Sequence, residues 1–136
     1  MLKGKLIHPE IMSALAFCGH GDKVLIADGN FPLDTKCKNA KKVYLGLVPG
    51  QPNSTDVLEA ILSMTGVENA EVMAPEDGRP MPELFGEFSA MLGGMELRKL
   101  GRWDFYDACG KEEVRLAIST GEERPFGNIL LTVGVI

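Results

Sequence analysis

The sequence predicts a single-domain α/β protein, a three-layer sandwich with a mostly parallel central sheet flanked by helices. Three observations lead there. Helical and strand patterns alternate in the order helix, strand, strand, helix, strand, helix, strand, helix, strand, strand. The strand candidates are short apolar runs bounded by turn residues, as Val24-Leu25-Ile26-Ala27 is by Gly21 and Asp28-Gly29, the mark of strands buried on both faces. At 136 residues, with no internal repeat, low-complexity tract or linker, the chain is one domain. That length buries roughly two-thirds of the unfolded surface.

The elements follow in order. Pro9 suits a first helical position, where its missing N–H costs nothing, and Ile11, Met12, Leu15 and Cys18 recur at helical spacing up to Gly19. A strand over 24–27 follows the turn Gly19-His20-Gly21-Asp22 and ends on Asp28, with Gly29, Asn30 and Pro32 behind it. Residues 33–41 read as a polar loop, and Lys36, Lys38, Lys41 and Lys42 as a solvated face. Residues 43–48 read as a strand stopped by Pro49 and Gly50. Asp56 and Glu59 stand at capping-box spacing and open a helix carrying Val57, Leu58, Ile61 and Leu62. A third strand is expected over 70–74, and a helix from Pro82 through Leu92 with Leu84, Phe85 and Phe88 on its apolar side. Last come a strand over 95–100, a short helix over 102–109, and strands over 114–119 and 128–133, these two expected to be neighbours.

Apolar residues make up 45% and charged residues 24%, ordinary for a soluble globular protein. The net charge is −5, the isoelectric point is near 5.0, and no Lys/Arg cluster stands out. Nucleic acid and anionic membrane are therefore not expected as partners. No apolar run approaches the ~18 residues of a membrane span, and the first residues lack a signal peptide's apolar core, so a cytoplasmic location is expected. Cys18, Cys37 and Cys109 are odd in number and widely spaced, which indicates neither a disulfide framework nor a CxxC motif.

The candidate chemistry is concentrated between Gly19 and Pro32. Gly-His-Gly-Asp is not a nucleotide loop, because the dinucleotide fingerprint runs strand, glycine turn, helix, and the order here is helix, turn, strand. No P-loop Lys-Ser pair and no G-x-S-x-G elbow is present. Cys18-x-His20 has no second ligand pair, so no metal is expected. His20, between two glycines, is either a structural turn residue or a proton-transfer group, the chemistry that histidine serves near neutral pH. Asp28 stands where the strand ends, and open α/β sheets bind ligands outside the carboxyl ends of their strands; Asp-Gly is also a common turn pair. His20 falls at the opposite end of the same strand. The two converge only if different subunits, or a bent entry loop, bring them together. Arg102, Trp103 and Tyr106 open the short helix, as core aromatics with a solvated arginine or as a platform for a sugar face. Phe126-Gly127-Asn128 is a turn entering the last strand, and turn chemistry alone accounts for its Gly and Asn.

Taken together and in this order, these residues resemble the D-ribose pyranase / L-fucose mutarotase family (RbsD/FucU) over nearly the whole chain. The resemblance rests on G-H-G-D at 19–22, Ala27-Asp28, Asn30-Phe31-Pro32, Arg102 with Phe105-Tyr106, and T-G-E at 120–122 leading into Gly127-Asn128-Ile129-Leu130-Leu131. Gly21, Phe31-Pro32, Arg102 and Gly127 look more like the fucose branch. The resemblance implies an RbsD-like fold and a cofactor-free isomerase. Such an enzyme exchanges α and β anomers, or pyranose and furanose forms, of a reducing monosaccharide such as L-fucose or D-ribose.

By the same resemblance His20 is the proton donor, and Asp28, Arg102, Phe126, Gly127 and Asn128 contact the sugar. Tyr106 is accessory, and Asp22 either contacts the substrate or orients His20 through a hydrogen bond; its place two residues on in the same turn favours orientation. A ring-shaped homo-oligomer, often a decamer, is implied, with sites across subunit contacts. The family usually has tyrosine where this chain has Phe126, so a hydroxyl that bonds the sugar is missing, and such a hydroxyl discriminates strongly between substrates. Phe126 therefore favours the rival reading, a non-catalytic sugar-binding or transport-associated protein on the same fold. A purely structural ring protein is the third reading.

Overall fold

The computed structural model describes residues 1–136. The elements are α1 (Pro9–Phe17), β1 (Lys23–Ala27), α2 (Leu33–Lys36), β2 (Lys41–Tyr44), α3 (Ser54–Leu62), β3 (Val67–Met73), α4 (Glu83–Met91), β4 (Arg98–Leu100), α5 (Arg102–Cys109), β5 (Val114–Ser119) and β6 (Ile129–Val133). The strands form one sheet in the order β2-β5-β1-β6-β3-β4. β1 and β2 both pair with β5 in parallel, and β3 pairs with β4 in parallel. β6 is antiparallel to both of its neighbours, β1 and β3. The sheet is thus mostly parallel, with one reversed strand at its centre. No helix is long and apolar enough to cross a membrane.

Side chains alternate across a strand, and this divides the core into two faces. Val24, Ile26, Leu116, Ile118, Ile129 and Leu131 point to the face covered by α1, α3 and α4, where they meet Ile11, Leu58, Ile61 and Phe88. Leu25, Ala27, Ala117 and Leu130 point to the other face, closed by Leu33 of α2 and by Phe105 and Cys109 of α5. Every residue of 24–27 is fully buried, which is why β1 reads as a continuous apolar run. Each large side chain buried in this way stabilises the fold by roughly 1.5–3 kcal/mol.

Four expectations are corrected. Residues 33–41 are not a loop throughout: Leu33, Cys37 and Ala40 are buried at helical spacing, and α2 opens the segment. The second strand is Lys41–Tyr44, earlier than 43–48, because the apolar residues Leu47 and Val48 remain exposed in a turn closed by Leu47 N–H donating to the Gln51 carbonyl. The capping box of α3 is Asn53 with Asp56, each side chain accepting from the other's backbone N–H at 2.9 and 3.1 Å. The strands β5 and β6 are not neighbours, since β1 lies between them.

One buried ion pair crosses the α2/α5 face. Lys23 of β1 reaches Glu71 of β3 at 2.7 Å across β6, and their side chains are 19% and 4% exposed. Removing one partner of such a pair strands the other charge in the interior. Lys23→Met is expected to lower unfolding stability by about 3–5 kcal/mol, whereas Lys23→Met/Glu71→Leu returns to within about 1–2 kcal/mol of wild type. Urea unfolding of the three proteins measures this, and equal costs for the single and double variants would contradict it.

Candidate active site

The reversed strand builds the site. Because β6 runs against β1, with Ile26 opposite Ile129, the turn that enters β6 lies at the end where β1 leaves the sheet. Asp28 and Asn128 meet there. The Asn128 side chain accepts from Asp28 N–H at 2.8 Å and donates to Asp28 Oδ2 at 3.1 Å. Asp28 Oδ1 also accepts from Asn30 N–H at 2.9 Å. Asp28 is buried, and burial pushes its carboxyl above the usual range, although N–H groups of Asn30, Asn128, Gly127 and Phe31 oppose that by stabilising the charge.

A second carboxylate supports the turn. Glu122 is 3% exposed, and both of its oxygens are engaged. Oε1 accepts from Arg124 N–H and Nε at 3.0 and 2.9 Å, and Oε2 from Arg124 Nη2 and Ser54 N–H at 2.9 and 3.1 Å. Burial alone would raise the Glu122 carboxyl, but these donors outweigh it and hold the group at about 2. Glu122 therefore stays ionised and has no free oxygen for a ligand. Ser54 Oγ donates to the Gly127 carbonyl at 2.6 Å. A Cβ at Gly127 would stand 2.6 Å from Glu122 Cγ, so only glycine fits beneath Phe126. Phe126 itself has φ of 61°, the single non-glycine residue in the left-handed region. That conformation costs roughly 1–2 kcal/mol and persists because the neighbouring bonds fix it.

Aromatic residues extend the same edge. Phe31, three residues after Asp28, makes edge contacts with Phe105 and Tyr106 at 6.0 and 5.5 Å between ring centres. The Arg102 guanidinium lies 5.1 Å from the Trp103 ring and 5.5 Å from the Tyr106 ring, with no carboxylate partner. Trp103 is 65% exposed, so it is no core residue, and Phe105 fills that role. Arg79 lies 5.7 Å from the Phe126 ring and pairs with Asp77. Two clefts open at this end: one of about 510 Å3 beside Gly29, Asn30 and Glu122, and one of about 360 Å3 beside Phe126, Arg79 and Arg124. A hollow of about 630 Å3 between α1 and Lys41 contains none of the candidate site residues.

His20 lies at the other end of the sheet. The five residues of β1 separate it from Asp28, at ~3.3 Å each about 16 Å along the strand. Within one chain the entry turn does not bend back to close that gap. The turn is tied to β6 by Gly21 N–H donating to the Val133 carbonyl at 2.9 Å. His20 Nε2 is 3.0 Å from both carboxylate oxygens of Glu68. The sequence led us to expect a hydrogen bond between Asp22 and the ring, and none forms. Asp22 Oδ2 accepts from Gly19 N–H at 2.8 Å and so shapes the turn instead. A hollow of about 510 Å3, lined by Cys18, His20, Met64 and Ile136, opens beside the histidine.

The sequence placed Asp28 and His20 at opposite ends of β1, as observed. Phe126, Gly127 and Asn128 were grouped with Asp28 only through the resemblance; the structure brings that turn to the Asp28 edge. Sequence reasoning missed Ser54, Arg79, Glu68 and the partners of Glu122. Nothing local marks the bond from Ser54 to Gly127, 73 residues on.

The Glu122 geometry fixes an acid dependence. A carboxyl whose folded value lies below its unfolded one adds stability at higher pH, lost as pH falls through the folded value. Glu122→Gln is expected to be less stable than wild type by about 2–4 kcal/mol at pH 7. The gap should narrow between pH 4.5 and about 2. A gap independent of pH over that range, read by urea midpoints, would contradict the assignment.

Comparison with known proteins agrees with this architecture. The D-ribose pyranase of Coprothermobacter proteolyticus is 32% identical over 136 residues, covering 100% of this chain and 99% of that protein. The D-ribose pyranase of Geobacillus kaustophilus is 30% identical over 135 residues, covering 99% and 95%. Bacillus subtilis RbsD, solved in complex with D-ribose, superposes with a TM-score of 0.85 at 26% identity, covering 100% of this chain and 99% of that one. The fucose mutarotase of Streptococcus pneumoniae, solved with L-fucose, gives 0.80 at 25% identity, covering 96% and 94%. The family model described as the RbsD / FucU transport protein family matches residues 1–136, and the chain belongs to that family.

Proposed function

We propose that this chain is a mutarotase that interconverts the cyclic forms of a reducing monosaccharide. The observation that carries the reading is the carboxyl-edge cluster: Asp28 clamped by Asn128 under a strained turn, in a chain similar end to end to sugar pyranases and mutarotases. The cluster offers what a neutral polyol needs. The Asp28 oxygens retain lone pairs for a hydroxyl, Arg102 is a guanidinium without a carboxylate, and Phe126 gives an apolar surface. The relatives compared include both ribose and fucose enzymes, so the reaction class is proposed without choosing between them. Phe126 offers no hydroxyl to the sugar, so that discriminating hydrogen bond takes no part in the choice of substrate.

The chemistry is proton transfer. His20 as general acid delivers a proton to the ring oxygen, the C1–O bond breaks onto that oxygen, and the anomeric hydroxyl loses its proton to water as its O–H electrons form the carbonyl. Rotation about the C1–C2 bond and reclosure on the other carbonyl face, or reclosure through another hydroxyl, with each proton transfer reversed, yields the other form. Atoms and charge balance without any cofactor. Asp28, Arg102 and the turn at 126–128 hold hydroxyls meanwhile.

His20 and Asp28 occupy opposite ends of the sheet, so the reading requires two chains, one supplying His20 and the next supplying the carboxyl edge. A homo-oligomeric ring with shared sites meets that requirement. His20→Ala and Asn128→Ala are each expected to lower the rate of anomer exchange at least about 100-fold. Co-assembled in equal amounts, the two inactive variants should recover about a quarter of wild-type activity, since one contact in four joins two intact contributions. No recovery in assemblies shown by mass spectrometry to contain both, or full activity in a protein that light scattering finds monomeric, would reject the shared site. Retained sugar affinity with no exchange in wild type would favour the sugar-binding alternative.

A further inference from the structure

We infer that Glu68 is a positioning residue for His20, fixing the imidazole so that Nε2 carries a hydrogen and Nδ1 is the atom that exchanges a proton with the sugar. The inference rests on the reading of His20 as the general acid. In the ladder between β3 and β6, Val67 pairs with Val133 and Asn69 with Thr132, so Glu68 is the extra residue between two consecutive pairs. An extra residue in an antiparallel ladder is a β-bulge, which bends the strand and re-aims a side chain. Here the bulge carries Glu68 to the ring, with both carboxylate oxygens 3.0 Å from Nε2.

The opposing strand is shaped to admit it. A Cβ at Gly134 would stand 3.0 Å from Glu68 Cβ and 3.2 Å from its backbone nitrogen, so a side chain there would crowd the bulge. The histidine turn is mounted on the same stretch of β6. Gly21 N–H donates to the Val133 carbonyl at 2.9 Å, and Val133 N–H donates to the Asp22 carbonyl at 2.8 Å. Both partners are therefore held by backbone bonds to one strand. The side chains are 60% and 45% exposed, so the pair adds little stability, and what it supplies is direction.

An ionised carboxylate accepts hydrogen bonds and donates none, so Nε2 facing Glu68 is the protonated nitrogen. No hydrogen bond engages Nδ1, which is left for substrate. In the forward step Nδ1–H gives its proton to the ring oxygen, and neutral His20 keeps its hydrogen on Nε2. On reclosure the ring hydroxyl returns a proton to Nδ1. Glu68 keeps its charge throughout and contacts no reacting atom.

The test uses the full chain labelled with 15N-histidine, together with anomer-exchange kinetics. The wild type is expected to show His20 in the Nε2–H form at high pH. Glu68→Ala should show mixed tautomers and a kcat lowered about 10-fold or more, with KM for the sugar nearly unchanged. Glu68→Gln, whose amide oxygen accepts the same N–H, should recover the tautomer and most of kcat. A wild-type Nδ1–H tautomer, or a Glu68→Ala protein with unchanged tautomer and kcat beside an inactive His20→Ala, would overturn the inference alone. Full activity in His20→Ala would overturn the reading of His20 itself and Glu68's role in catalysis with it.

Discussion

The antiparallel pairing of β6 between β1 and β3 is the constraint on which the rest depends. In a wholly parallel sheet the turn entering a central strand lies at the amino edge, away from the loops that leave the other strands. Reversal of one strand places that turn at the carboxyl edge, where Asn128 meets Asp28 through two hydrogen bonds. Several neighbours serve the same turn. Ser54 and Glu122 hold it from below, Gly127 leaves room for Glu122, and Phe126 accepts a left-handed backbone between them. The energy of the clamp is modest, about 1 kcal/mol per neutral hydrogen bond. Its consequence is geometric, because it fixes where a buried carboxylate faces.

The same reversed strand organises the opposite edge. As β6 leaves the sheet at Val133 it holds the Gly19–Asp22 turn, and its pairing with β3 creates the bulge that aims Glu68 at His20. One strand thus carries the turn that meets Asp28 at its start and a histidine mount at its finish. Their separation by the length of the sheet is why the proposed mechanism requires two chains: a sugar held at one chain's carboxyl edge would need a histidine that the same chain does not bring there.

What could be read from the sequence follows from the range of each signal. The burial of β1 and the turns on either side of it were legible, because an unbroken apolar run between glycine and aspartate punctuation is local information. The helix over 102–109 and the strand over 114–119 were legible for the same reason. The short helix α2 was not, since Leu33 is its one apolar residue among polar and charged neighbours. Leu47 and Val48 misled in the opposite sense, apolar residues that the fold leaves in water. Glu68 could not be found at all. Its position depends on a bulge, and a bulge is a property of two strands paired across the sheet. The Glu122 network was half visible, as T-G-E in the chain, while its burial and its bond to Ser54 exist only in the folded protein.

Ring opening without a cofactor is the central claim, and exchange NMR on anomeric protons tests it most directly. D-Ribose and L-fucose are followed separately, with and without the protein at substoichiometric amounts. The account predicts cross-peaks between ring forms of at least one of the sugars at mixing times where the free sugar shows none. Broadened sugar lines without exchange cross-peaks would contradict catalysis and leave a binding protein.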